Sequence, residues 1–495
     1  MSKPISILYI SSEVEPFAKT GGLADVAGAF PQLIRELGHD IRIFLPKYGF
    51  VGDRKFNIYD VIRLRDIPVS IGNKTETASI KSSFITNQRI KVQVYFFDLP
   101  KYFSRDGVYF DPQSKKDYPD NDERFISLCR GALETLKRLG WKPDIIHCND
   151  WQTGLIPAYL KTIYKDDPFF SKIRTVYTIH NLAYQGVFPK SSFAKTGLPE
   201  ELFNEQTGLA TGDVMNLMKC GIQFADTITT VSKRYAEEIT TSDEFGCGLK
   251  DLLKKRRKDL FGILNGVDYS VWDPSVDQLI PQQYTSKTIQ DKKENKRELL
   301  KAFKLPVDDA VPVISIISRL VEQKGFDLLQ EIADTLLKED IKIIVLGTGE
   351  KRYQTFLSEL ATNYPDKVGV KLTFDDTLAH LIEAGSDMFL MPSRYEPCGL
   401  NQIYSMRYGT IPIVRATGGL EDTVIDIDSK NGNGTGIKFG PYDSKALLQA
   451  IERALKIYRD EKTWNKTVKN AMQQDFSWEK SAKEYIALYK KILKK

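Results

Sequence analysis

Residues 5–46 read ISILYISSEVEPFAKTGGLADVAGAFPQLIRELGHDIRIFLP. ISILYI is short, apolar and strand-like. After the glycine pair, apolar residues recur at Val26, Phe30, Leu33, Ile34 and Leu37. Spacings of three and four mark one face of a helix. HDIRIFLP then supplies the next strand. Strand, glycine turn, amphipathic helix and strand is the repeating unit of parallel α/β domains.

Working outward, the same rhythm persists. Further strands are expected in KVQVYFFDL (91–99), DIIHC (144–148), RTVYTI (174–179) and DTITTV (226–231), and the polar span 111–124 reads as a mobile loop. Between about residues 261 and 300 the rhythm stops in turn-rich and charged sequence. It then resumes with PVISIIS, the helix FDLLQEIADTLL, IKIIVL, VKLTF, the helix TLAHLIEA, MFLMP and TIPIV. The expected organisation is α/β, with two Rossmann-like domains: 1–260, a hinge at 261–279, and 280–476. SWEKSAKEYIALYKKIL, inside 477–495, is amphipathic and forms a last helix. A chain of 495 residues exceeds one ordinary core, which agrees with two domains.

The bulk numbers exclude several classes. Apolar runs such as VPVISII fall far short of the ~20 residues that span a bilayer. The amino terminus lacks a secretory pattern, so a cytoplasmic chain without membrane attachment is expected. Five cysteines without a C-x-x-C pair and four histidines argue against a disulfide framework or a metal centre. A net charge of +5 and the isolated cluster KKRRK (254–258) do not amount to a nucleic-acid reader.

In open α/β sheets, ligands bind beyond the carboxyl ends of the strands, and the distinctive residues fall there. KTGG (19–22) follows a strand and opens a helix, so its amides and the helix dipole can meet an anion, with Lys19 adding a charge. SRLVEQKG (318–325) puts Arg319 and Lys324 in one loop: a bidentate fork and a compact charge suit a diphosphate without a metal. In PSRYEPCGLNQ (392–402), Glu396 can grip sugar hydroxyls ahead of the amides of Cys398, Gly399 and Leu400. IHNLAYQG (179–186) places His180 and Asn181 beyond a strand. Asp150, in HCNDW, either orients a sugar or caps a helix, and Asn265, in LNGVD, reaches the cleft from the hinge. GTGE (347–350) lacks dinucleotide spacing, and His380 reads as an ordinary helix residue. Thr-Gly-Gly-Leu-x-Asp recurs at 417–422, with Ala416 where the first copy has Lys19, which predicts a lesser role.

Together and in this order, KTGGLADV, YFFDLPKYFSRDG, YPDNDERF, HCNDWQTGL, TIHNLAYQGVF, ILNGVD, SRLVEQKGFDL, PSRYEPCGLNQIYSMRYGTIPIV and TGGLEDTV resemble bacterial glycogen synthase and plant starch synthase. The resemblance covers essentially the whole chain. It implies a GT-B glycosyltransferase fold, with two domains facing across a cleft and the last helix crossing back to the first domain. It also implies transfer of α-glucosyl from ADP-glucose, or from UDP-glucose, to the 4-hydroxyl of an α-1,4-glucan with retention and no cofactor. On this basis Arg319 and Lys324 hold the donor diphosphate with Lys19 and the Gly22 amide. Glu396, Cys398, Gly399 and His180 meet the transferred glucose. Asp25, Asp150, Asn181, Asn265 and Leu400 are further contacts.

Retaining glycosidases pair two carboxylates, and many retaining relatives carry Glu-x7-Glu. Here the second position is Tyr404, so front-face attack by the acceptor hydroxyl is expected. The rival readings are another GT-B glucosyltransferase and a non-catalytic carbohydrate-binding relative.

Overall fold

The computed structural model describes residues 3–87, 90–427 and 433–494, and residues 1, 2 and 495 of the terminal segments named above lie outside them. The chain forms two compact units. One comprises Met1–Val231, Ala236–Gly266 and Trp478–Lys495, the other Ser232–Tyr235 and Val267–Ser477.

The first unit is built on a sheet with a parallel core. Strand Ser6–Ile10 lies between Asp40–Pro46 on one side and Ile145–Asn149 on the other. Lys91–Asp98 continues the first flank, and Arg174–Ile179, Thr227–Thr230 and Leu260–Gly262 continue the second. Ile145–Asn149 is buried along its whole length, as a central parallel strand covered on both faces must be. An antiparallel extension, Lys74–Thr86 against Lys91–Asp98, continues the sheet, and Tyr59–Asp60 and Ile67–Ile71 pair antiparallel with Lys74–Thr86 in turn. The sequence reading left that extension out, because its residues alternate between a buried and an open face instead of running apolar throughout.

The second unit repeats the arrangement with six parallel strands among the described residues. Val313–Ile317 pairs with Lys342–Leu346 on one side and Met388–Met391 on the other. Val368–Lys371, Ile411–Arg415 and Ile437–Phe439 extend the two flanks. In both units the first strand is central and its successors run outward in opposite directions. Between that strand and its later neighbour the connections leave to opposite faces, and the loops beyond the carboxyl ends part to leave a crevice.

The last helix, Trp478–Ile492, packs on helix Gly22–Glu36 of the first unit. Phe30 meets Tyr485 at a ring separation of 4.8 Å and Trp478 at 6.1 Å. The Tyr489 hydroxyl lies 2.6 Å from His147 Nδ1. Each buried aromatic side chain contributes about 1.5–3 kcal/mol of apolar burial, so the helix is integral to this unit.

One expectation is corrected. Residues 111–120 form a loop as expected, but the last four residues of the span do not: Asn121 begins helix Asn121–Leu139. Arg124 is fully buried. It donates to the carbonyls of Tyr102 and Val108 and to Asn121 Oδ1, with Phe103, Tyr118 and Phe125 around its guanidinium. Polar composition suggested mobility, but a buried guanidinium ties the segment from inside.

Candidate active site

In the first unit, chemistry gathers beyond the central strand Ser6–Ile10 and its neighbour Ile145–Asn149. Glu13 is only 3% exposed. Its carboxylate accepts from the Thr20 and Gly21 amides, from Thr20 Oγ1 at 2.7 Å and from the Tyr109 hydroxyl at 2.5 Å. The Thr20 and Gly21 amides, the middle two of the KTGG turn, are therefore occupied by the protein's own carboxylate. Gly22, the first residue of helix Gly22–Glu36, carries the turn's exposed end. The anion site read from the sequence thus narrows to the Gly22 end of the turn. Lys19 Nζ lies 2.7 Å from Asp25 Oδ1, both side chains more than a third exposed, a pair of small energetic weight.

Asp150 follows Ile145–Asn149 with φ +54°, a backbone region that a non-glycine residue rarely adopts. Its Oδ1 accepts from the His180 amide at 2.7 Å, and the Asn181 amide also donates to the carboxylate. Burial outweighs these bonds and, with the charge of Glu13 adding to it, pushes the carboxyl up to about 7. His180 Nε2 lies 2.9 Å from Asn149 Oδ1, and Asn149 donates its own amide to the Ile10 carbonyl. The oxygen of Asn149 therefore faces the ring, and the proton sits on Nε2. Burial depresses the imidazole to about 3, so His180 is neutral and presents Nδ1 as an acceptor. Asn181 Oδ1 takes the Ala183 amide at 3.1 Å. Asn265 is buried beside Gly266, where a side chain would collide with Trp478.

In the second unit, the loops after Val313–Ile317 and Met388–Met391 meet at the crevice of the sheet. They are stapled together: Arg394 donates its amide to the Gln323 carbonyl, and Gln323 Nε2 donates to the Tyr395 carbonyl. Gly325 has φ +77°, and a Cβ there would stand 2.2 Å from the Pro392 carbonyl oxygen. Only glycine allows this approach. The consequence is an ion pair between Lys324 Nζ and Glu396 Oε2 at 2.6 Å. Ser393 Oγ donates to the same oxygen at 3.0 Å. Arg319, Lys324, Ser393, Glu396, Gly399 and Leu400 line a pocket of about 200 Å³. Arg319 is exposed at its edge. Cys398 is buried, Gly399 has φ +68°, and Leu400 packs its side chain against the core.

The structure thus brings Arg319, Lys324, Glu396, Gly399 and Leu400 to one pocket in the second unit. In the first it brings Asp150, His180 and Asn181 to one cluster and pairs Lys19 with Asp25. Tyr404 stacks on Trp272 at 4.1 Å, and His380 stacks on the other side at 3.8 Å. Tyr404 is thus a packing residue where a second carboxylate could have stood, and His380, bonded to Asp277 at 2.8 Å, is structural.

Three polar partners escaped the sequence reading: Glu13, Asn149 and Ser393. Glu13 carried a usable signal, an acid between a strand's carboxyl end and a glycine turn. Nothing local marked the other two. Among the described residues no group of three or more His, Cys, Asp or Glu is placed to hold a metal.

Residues 6–255 match the family described as starch synthase catalytic domain, and residues 298–474 match glycosyl transferases group 1. A glycogen synthase of Desulforudis audaxviator is 46% identical over 504 aligned positions, covering 100% of this chain and 97% of its own. A glycogen synthase of Thermotoga maritima is also 46% identical, with 99% of each chain covered. Among solved structures, the catalytic domain of starch synthase IV from Arabidopsis thaliana, bound to ADP and acarbose, superposes with a TM-score of 0.90 at 32% identity. That match covers all of both chains.

Proposed function

Because the chain belongs to the glycogen synthase and starch synthase family, we propose that it transfers the α-glucosyl group of ADP-glucose to the non-reducing 4-hydroxyl of an α-1,4-glucan, with retention, in glycogen biosynthesis. The observation that carries the reading is the Lys324–Glu396 pair beside Arg319, at the crevice of the second unit's sheet. The Arabidopsis relative holds ADP and acarbose, which supports an ADP-linked donor.

Breaking the bond between C1 of glucose and the diphosphate builds positive charge on the sugar and negative charge on the phosphate oxygen. Arg319 can grip that diphosphate as a planar fork, and Lys324 can meet it as a point charge. Both cations are positioned before the reaction, so charge develops against groups that need not reorganise. Lys19 and the Gly22 amide assist at the phosphates, with Asp25 orienting Lys19. Glu396 accepts hydroxyls of the transferred glucose, and the Cys398, Gly399 and Leu400 backbone borders it. His180, neutral with Nδ1 as acceptor, takes a sugar hydroxyl, and Asp150 fixes its backbone. Asn181 and Asn265 are further sugar contacts. With Tyr404 committed to Trp272, no carboxylate stands eight positions beyond Glu396, which favours front-face attack by the acceptor hydroxyl beside the departing phosphate.

Phe374 extends the reading to the base. It is 79% exposed and follows strand Val368–Lys371, two strands across from the strand that carries Arg319. Two strand spacings are about 10 Å, comparable to the reach from a diphosphate to its base, and an exposed ring offers a stacking face. No helix among the described residues is long and apolar enough to cross a membrane, and we place the activity in the cytoplasm.

Incubation with ADP-glucose or UDP-glucose and a maltooligosaccharide tests the reading, with product length resolved chromatographically. Extension that is faster with ADP-glucose is expected. No extension with either donor would refute glucan synthesis, and a clear preference for UDP-glucose would refute the donor assignment.

A further inference from the structure

The second Thr-Gly-Gly-Leu-x-Asp, Thr417 to Asp422, has no part in the chemistry above, yet its geometry is specific. The Gly419 amide donates to the Glu396 carbonyl at 3.0 Å and to the Pro397 carbonyl at 3.2 Å. Gly418 has φ +46°, and a Cβ on it would stand 2.0 Å from the Glu396 carbonyl oxygen. A Cβ on Gly419 would stand 1.9 Å from the Cys398 carbonyl oxygen. The other carbonyls of the loop are held as well. Ser232 Oγ donates to Pro397 O at 2.6 Å, and Gln402 Nε2 donates to Cys398 O at 3.1 Å and Gly399 O at 3.0 Å. The same Gln402 nitrogen reaches Thr423 Oγ1, which donates back to the Gly419 carbonyl at 2.6 Å.

The first copy is used in the opposite way. A Cβ on Gly21 would meet nothing within 4 Å, and Glu13 holds that turn from behind. Identical letters thus make an open turn in one unit and a closed backbone contact in the other.

We infer that the second glycine pair is a splint that sets the position of Glu396, and that Gly419 is a positioning residue for glucosyl transfer. The inference rests on the reading that Glu396 acts on the transferred glucose. Glu396 lines the pocket and carries the ion pair to Lys324, so a displaced backbone misplaces its carboxylate. A misplacement of about 1 Å costs on the order of 10²-fold in rate.

The test is a cycle of Gly419→Ala and Glu396→Gln, assayed by radiolabelled glucosyl transfer and checked by thermal unfolding. Gly419→Ala is expected to lower kcat about 10²-fold in the native background and to add less than a threefold loss on Glu396→Gln, because its effect passes through that carboxylate. General damage to the fold would cost the same in both backgrounds, and that result overturns the inference. Should Gly419→Ala fail to fold, Thr423→Val decides. It removes the hydroxyl between Gln402 and Gly419 with little change in volume, and a several-fold fall in kcat is expected. Normal kcat in the folded variant overturns the splint. Near-normal transfer by Glu396→Gln alone would instead overturn the assignment of Glu396, a separate failure.

Discussion

Removing both partners of the Lys324–Glu396 pair should cost less than the two single removals added together. Glu396 is 8% exposed and Lys324 17%, with Nζ and Oε2 2.6 Å apart. Lys324→Met leaves a buried carboxylate with only the Ser393 hydroxyl. Stranding one member of a buried pair costs about 3–5 kcal/mol, and the partial exposure of Lys324 argues for the lower end. Glu396→Gln keeps an acceptor for both Lys324 and Ser393 and loses only charge assistance, about 1–2 kcal/mol. The double variant buries no charge, so its cost should fall below the sum of the singles by about 2 kcal/mol.

For a unit of this size 1 kcal/mol moves the transition by roughly 2–4 °C, so Lys324→Met should melt about 6–12 °C lower. Differential scanning fluorimetry of the four proteins reads this directly. In the transfer assay each single variant should lose at least ~10²-fold in kcat/KM, and the double little more, as residues acting as a unit do. Strictly additive losses, or a shift of Lys324→Met below about 2 °C, would refute the claim that the pair is a buried, functional unit.

Three other perturbations follow from the first unit. Glu13→Gln exchanges an acceptor-only carboxylate for an amide whose NH₂ must face other donors; donor KM should rise about tenfold, worth about 1.4 kcal/mol, with the fold intact by circular dichroism. An unchanged KM would remove Glu13 from the organisation of the turn. Asp150 has its folded pKa raised to about 7 from 3.8. Between those values the unfolded chain has released a proton that the folded chain retains, so this group's contribution falls as pH rises from about 4 to 7. Asp150→Asn should therefore gain stability relative to the parent by at most about 4 kcal/mol across that window, and melting curves that keep a constant separation from pH 4.5 to 8 would contradict it. Tyr489→Phe removes the hydroxyl that partners buried His147 and should destabilise by about 1–3 kcal/mol; an unchanged melting temperature would show that the last helix is held by its rings alone.

The first strand–turn–helix–strand, the second α/β series after residue 300 and the amphipathic last helix were all legible in the sequence, because apolar periodicity records which face of each element is buried. Arg319, Lys324, Glu396 and His180 could be singled out for a related reason: each follows a strand at its carboxyl end, where loops meet ligands. What the sequence by itself could not determine was which groups face one another. Lys324 and Glu396 stand 72 positions apart, and they become an ion pair only because the strands carrying their loops are neighbours in the sheet. Asn149 fixes the tautomer of His180 from 31 positions away by the same means. The two Thr-Gly-Gly-Leu-x-Asp turns make the point most directly. Their local conformational freedom is alike, but glycine states only that no side chain stands there. Whether the space is open, as at Gly21, or filled by the backbone of another loop, as at its counterpart Gly418, is decided by tertiary neighbours, and that difference separates an open turn from a support for Glu396.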